Sequence, residues 1–228
     1  DMEARRLVLE AGVRLLENRL IARTWGNISA RISDTEFVIT PSGKPYDGLT
    51  PEDLVVVKIK DCSYEGDVKP SSEKGIHAAA YRMRPDCNFI IHTHQFFASA
   101  VAADDRSITE APCAAYGLPG TKKLMKNMEK CFRDNPEAKT FLMAKHGTVI
   151  LGDDFEEAFA LAEALEDGCR DRFKKRVPDH DVFRYSDFDT ESVATEEFPV
   201  VVLQRDYYVM ECCMAGLNLK SYVDDFAQ

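Results

Sequence analysis

No stretch of this chain approaches the roughly 20 consecutive apolar residues that a membrane-spanning helix requires, so no membrane partner is expected. The chain also lacks a C-x-x-C pair. Its seven cysteines, Cys62, Cys87, Cys113, Cys131, Cys169, Cys212 and Cys213, are scattered, and a bridge between the adjacent last two would be strained. This argues against a finger-type thiolate metal site and for free thiols in a reducing compartment. Positive charge is short: 29 Lys and Arg against 39 Asp and Glu leave a net charge of −10, with no basic patch, so nucleic acid is not an expected partner. An anionic small molecule is not excluded, because backbone N–H groups can cradle phosphate inside an acidic protein. Internal repeats and low-complexity tracts are absent. The N-terminal residues Asp1 to Arg6 lack the apolar stretch of a signal peptide, and a soluble cytoplasmic protein is the expectation.

What is present is a globular balance. Apolar residues make up 45% and charged residues 30% of 228 residues, enough for one sizeable core. Leu7, Val8, Ala11, Leu15, Leu16 and Leu20 recur at helical spacing across 3–22. Short β-type runs follow at 28–32, 37–40 and 54–59, with a turn by composition at 41–45. A helix is expected over 73–83, with Ser71 or Ser72 as its N-cap. A buried strand is expected at 89–92, helices at 98–103 and 121–132, one strand over 140–151 and a long helix over 155–175. Alternating β and α elements favour an α/β class.

Three of the five histidines stand at strand ends. His92 and His94 are two apart, and residues i and i+2 of a strand share a face about 6–7 Å apart. They are either a polar pair at a strand end or two imidazoles converging on one ion. His146 closes the apolar run 141–145. If its strand neighbours that of His92, it adds a third nitrogen, and three protein ligands with an open position make a catalytic zinc site. Glu73 at a helix start either complements the helix dipole or serves as a general acid/base beside the metal. Gly26-Asn27-Ile28-Ser29, Thr40-Pro41-Ser42-Gly43 and Ser71-Ser72 each offer donors for an anion, or are simple turns. His77, one helical turn after Glu73, reads as a structural hydrogen-bonding residue. His180 reads as solvated, and Trp25 as core or interface.

Together these segments resemble, in one order, the class II aldolase/adducin family, most closely its L-fuculose-phosphate aldolase branch. The segments are Thr24-Trp25-Gly26-Asn27-Ile28-Ser29, Thr40-Pro41-Ser42-Gly43, Lys69-Pro70-Ser71-Ser72-Glu73, His92-Thr93-His94 and Lys145-His146-Gly147. The resemblance covers about residues 3–175 and implies a single domain over 1–228 with a divergent segment at 176–228. It implies a three-layer α/β/α sandwich around a mainly antiparallel sheet, and a homotetramer with active sites at subunit interfaces. It implies one Zn2+ per subunit, or another divalent transition metal, on His92, His94 and His146, with Glu73 as the proton-transfer residue that also touches the metal. Gly26, Asn27, Ser42, Gly43, Ser71 and Ser72 would bind the phosphate of a small phosphorylated sugar.

The implied reaction is zinc-dependent cleavage of a ketose 1-phosphate to dihydroxyacetone phosphate and an aldehyde. The alternatives are a pentulose-phosphate 4-epimerase, a sugar-phosphate dehydratase or decarboxylase on the same scaffold, or a non-catalytic adducin-head-like module. Glutamate at 73 favours aldolase over the epimerase branch, which typically has aspartate there. Two features depart from the resemblance. The 105–113 segment is shortened and has no match for the branch's proton-donor tyrosine, for which Tyr116 is a weak substitute. The tail diverges too, and Tyr222 in Leu219-Lys220-Ser221-Tyr222 is carried over as the tyrosine that reaches the substrate.

Overall fold

The structure is a computed structural model that describes residues 1–21, 24–103 and 106–176. Its described elements, in chain order, are α1 (Met2–Glu17), β1 (Asn27–Arg31), β2 (Glu36–Ile39), β3 (Val55–Lys58), α2 (Lys74–Met83) and β4 (Phe89–Thr93). They continue with α3 (Phe96–Ala102), β5 (Cys113–Ala114), α4 (Lys122–Asp134), β6 (Thr140–Met143), β7 (Gly147–Gly152) and α5 (Phe155–Arg176). The strands form one sheet in the order β3-β2-β1-β4-β7-β6-β5. Of its neighbouring pairs only β5–β6 is parallel.

Period-2 alternation sorts the side chains of each strand onto opposite faces. Phe37 and Ile39, Ile90, Phe141 and Met143, and Val149 and Leu151 point one way and pack against α2 and α4 through Ile76, Tyr81, Leu124, Met128 and Phe132. Ile28 and Ala30, Val38, Phe89 and Ile91, and Ile150 point the other way and pack on Val8, Ala11 and Leu15 of α1 and Phe159 and Ala162 of α5. Leu142 meets α3 and α5 on that same second face through Ala98, Ala102, Leu165 and Cys169. The result is the three-layer α/β/α sandwich with a mainly antiparallel sheet. Among the described residues no helix is long and apolar enough to cross a membrane.

Two sequence expectations are corrected. Residues 140–151 are not one strand but a tight antiparallel hairpin, β6–β7, with His146 in its turn. Apolar residues on both sides of Lys145-His146-Gly147 made the stretch read as one strand, although those three residues are where it turns. The chain reverses through Lys145 in the left-handed region (φ 55°). The second correction concerns α2, whose N-cap is Glu73 rather than Ser71 or Ser72. Ser71 is held outside the helix because its N–H donates to the Thr40 carbonyl (3.1 Å). α4 starts one residue later than the expected 121, because Thr121 is its N-cap: Thr121 Oγ1 accepts from the Leu124 N–H (3.3 Å).

Candidate active site

The site grows from β4, a strand buried along its whole length. His92 lies on the face turned to α2 along with Ile90. His94 follows two residues later, just past the end of the strand. On one side β1 pairs with β4 in a register that sets Asn27 opposite His92. On the other, β7 sets Thr148 opposite Thr93. These two neighbours approach very closely. A Cβ on Gly26 (φ +84°) would lie 2.3 Å from the His92 carbonyl oxygen, and one on Gly147 would lie 2.4 Å from that of Thr93. Only glycine permits either approach. The second brings the hairpin turn, and so His146, over the end of β4.

Three buried imidazoles therefore converge. The ring centroids of His92, His94 and His146 are 4.8–5.0 Å apart, and each has a ring nitrogen within 4.8 Å of those of the others. Nδ1–H of His92 donates to the Thr148 carbonyl (2.7 Å), which leaves its Nε2 lone pair facing His94 Nε2 at 3.2 Å. Two nitrogens bound tetrahedrally at ~2.0–2.1 Å would be about 3.3 Å apart. The donor set and its spacing thus fit a divalent transition metal, and the triad could hold one. The Glu73 carboxylate closes on the same point, with Oε2 3.0 Å from His92 Nε2 and Oε1 3.4 Å from His146 Nε2. Burial pushes the Glu73 pKa up, but positive charge on the His92 and His146 rings, when they are protonated, outweighs it and holds the carboxyl well below its ordinary value. A bound cation would act in the same direction.

Beside this cluster lies a cavity of about 380 Å3, within the range of small-molecule sites. Gly26, Asn27, Ser42, Gly43, Ser71 and Ser72 all line it together with Glu73, His94 and His146. The turn at 41–43 and the loop at 69–71 meet because the Ser42 N–H donates to the Lys69 carbonyl (2.9 Å) and the Ser71 N–H to that of Thr40. None of the described residues lining the cavity is Lys or Arg, and the backbone N–H groups and hydroxyls among them are neutral donors for an anion. Ser71 Oγ accepts from the Glu73 N–H (3.2 Å) and keeps its own hydrogen to donate.

The description "Class II Aldolase and Adducin N-terminal domain" names the family whose sequence profile matches residues 6–172. The chain belongs to this family. L-fuculose phosphate aldolase of Escherichia coli K12 is 31% identical over 173 residues, covering 71% of this chain and 78% of that one. The 3-oxo-tetronate 4-phosphate decarboxylase of Haemophilus influenzae is 27% identical, covering 75% and 87%. A solved L-fuculose 1-phosphate aldolase superposes with a TM-score of 0.69 at 24% identity, over 84% of this chain and 92% of that one, and shares the fold. As a class II aldolase relative the protein is an enzyme of the lyase class, in a family that acts on small phosphorylated sugars.

Tyr222 and His180 lie outside the described residues. Trp25, expected in core or interface, instead lines the cavity, its ring stacked near that of His94 at 6.3 Å between centroids. Thr24 and Pro119 join it in the lining, and neither carries a spacing signal. Ser29, grouped in the sequence with the anion-binding segment, is not in the cavity. It is buried beneath the cavity against His77 and Tyr81. It shares the face of β1 that carries Asn27 but lies two residues further along, under α2.

Proposed function

We propose that this protein is a zinc-dependent aldolase that cleaves a ketose 1-phosphate to dihydroxyacetone phosphate and an aldehyde. The carrying observation is the Glu73 carboxylate, poised on the three-imidazole cluster at the edge of a cavity lined by the Gly26, Ser42 and Ser71 segments. His92, His94 and His146 would hold the metal, with Glu73 touching it when no substrate is bound. Bound there, a divalent ion supplies a Lewis acid for charge developing on the substrate's oxygens. Gly26, Asn27, Ser42, Gly43, Ser71 and Ser72 bind the phosphate and so set the distance from it to the reacting carbons. In the cleavage the C3–C4 bond breaks, the C4 hydroxyl passes its proton to the Glu73 carboxylate as it becomes the aldehyde, and the electron pair stays on C3. Glu73 delivers a proton to C3, and the carboxylate regenerated is ready for the next turnover. Tyr222 is the proposed group on the aldehyde side.

The same reading takes zinc as the native metal, a homotetramer with sites between subunits as the assembly, and one domain over 1–228. The cytoplasm is its compartment, a reading supported by Cys62, Cys87, Cys131 and Cys169, which are free thiols. The test is a panel of ketose 1-phosphates with zinc-loaded protein, in which dihydroxyacetone phosphate must appear. If none of the panel yields it, the aldolase reading fails. The decarboxylase relative favours one second reading, phosphorylated 3-oxo acids as substrates. Release of carbon dioxide from such an acid, with no cleavage of ketose phosphates, would establish it instead.

A further inference from the structure

Under the candidate site runs a line of polar side chains of which the proposed chemistry uses only Asn27 and Glu73. It arises from a match between two periodicities. Asn27, Ser29 and Arg31 of β1 share the face turned to α2, spaced two residues or about 6.6 Å apart. Glu73, His77 and Tyr81 follow one side of α2, spaced four residues or about 6.0 Å apart. The two ladders therefore stay in step. Asn27 Nδ2 lies 3.0 Å from Glu73 Oε2, Asn27 Oδ1 contacts His77 Nε2 (2.5 Å), His77 Nδ1 lies 2.7 Å from Ser29 Oγ, and Ser29 Oγ lies 2.8 Å from the Tyr81 hydroxyl. The Arg31 guanidinium closes the far end over the Tyr81 ring at 4.7 Å.

Hydrogen-bond chemistry allows this chain one direction. An ionised carboxylate only accepts, so the Asn27 amide must present its NH2 to Glu73 and its oxygen to His77. His77 must then carry its proton on Nε2, which leaves Nδ1 to accept from the Ser29 hydroxyl, whose oxygen accepts from the Tyr81 O–H. The opposite amide orientation would set two acceptors face to face in a buried place. Burial, with the nearby His92, pushes His77 down to about 3 against the pull of Glu73, so the ring stays neutral, as the chain requires. At the other end Oε2 of Glu73 is tethered, while its Oε1 accepts no hydrogen bond.

We propose that His77, supported by Ser29 and Tyr81, is a positioning residue: it locks the Asn27 amide so that its NH2 tethers Glu73 Oε2, leaving Oε1 as the oxygen that moves the proton. Asn27 then has one N–H for Glu73 and one left for the substrate phosphate, which couples phosphate seating to carboxylate geometry. The inference rests on the aldolase reading for what Glu73 does, but not for the direction of the chain.

The experiment uses zinc-loaded full-length protein and dihydroxyacetone phosphate alone, following deuterium uptake from solvent at C3 by NMR, a half-reaction that needs no aldehyde. A glutamine at 77 can put its amide N–H where Nε2–H lies, whereas an asparagine reaches only the Nδ1 position. His77→Asn and Ser29→Ala are expected to slow exchange about 10–100-fold with zinc content and KM near wild type, and His77→Gln to recover most of the loss relative to His77→Asn. Equal loss in His77→Asn and His77→Gln, or exchange at the wild-type rate in His77→Asn, overturns the proposal. Independently, 15N NMR of the wild-type protein is expected to show His77 neutral with its proton on Nε2. The Nδ1–H tautomer overturns the proposal even if a variant fails to fold. Absence of exchange in wild type would sink the aldolase reading instead, and the tautomer measurement would still decide the chain's direction.

Discussion

Glu73 is buried and Glu166 half-buried, and their neighbours differ. Glu73 faces imidazoles and its carboxyl is held well below its ordinary value, the state from which the proposed proton transfer starts. Replacing it with Gln is expected to cut turnover about 10²–10⁴-fold, the range for losing a general acid/base, with metal content retained. Kinetics paired with metal analysis checks this, and a variant with near-normal turnover would remove Glu73 from the chemistry. Glu166 on α5 accepts from the Phe97 and Ala98 N–H groups at the start of α3, directly after His94. Burial raises its pKa, those two bonds lower it, and the net effect pushes it up to about 7. The folded protein then binds more protons than the unfolded chain between about pH 4.5 and 7, so this group's contribution to stability is lost as pH rises through that window. Denaturant unfolding across this range is expected to show a shallower fall for Glu166→Gln than for wild type. Parallel profiles would mean that Glu166 titrates normally.

At the scale of elements, the β6–β7 hairpin decides whether the three-imidazole cluster forms. Residues 140–151 read as one strand because apolar residues dominate both arms, although Lys145-His146-Gly147 interrupts them at the reversal. Gly147 sits at that reversal, and a Cβ there meets backbone that cannot swing aside. Gly147→Ala is expected to cost about 1–3 kcal/mol or more as overpacking against β4. It should also lower the metal occupancy, because His146 moves with the turn. Thermal unfolding together with metal analysis tests both, and a variant with normal stability and full metal content would contradict the close approach. The α2–β1 ladder was half legible. The spacing of Glu73, His77 and Tyr81 is visible in the chain, but nothing in a linear sequence says that Asn27 and Ser29 lie alongside.

For the molecule as a whole, a metal bound only by the folded state adds to its stability. Stripping zinc with a chelator is expected to lower the unfolding temperature and abolish aldol cleavage, with both restored by zinc. For a given loss of stability the midpoint shift should be about 2–4 °C per kcal/mol. In His94→Ala the chelator should no longer shift the midpoint. A wild-type midpoint indifferent to chelation would argue against a metal on this triad.

Several features could be read from the residues themselves. The H-x-H pair must share a face, because strand geometry is local. The order of the Gly26, Ser42, Ser71, His92 and His146 segments pointed to the family and through it to the three-layer sandwich. Other features needed the tertiary structure. The pairing of Asn27 with His92, the turn that carries His146, the cavity wall made by Trp25, and the descent of Ser29 into a buried chain ending on Glu73 all depend on contacts between segments far apart in sequence. Alternation and helical spacing say which way a side chain points from its own element. Only the packing of β1, β4, β7 and α2 against one another says what it meets there.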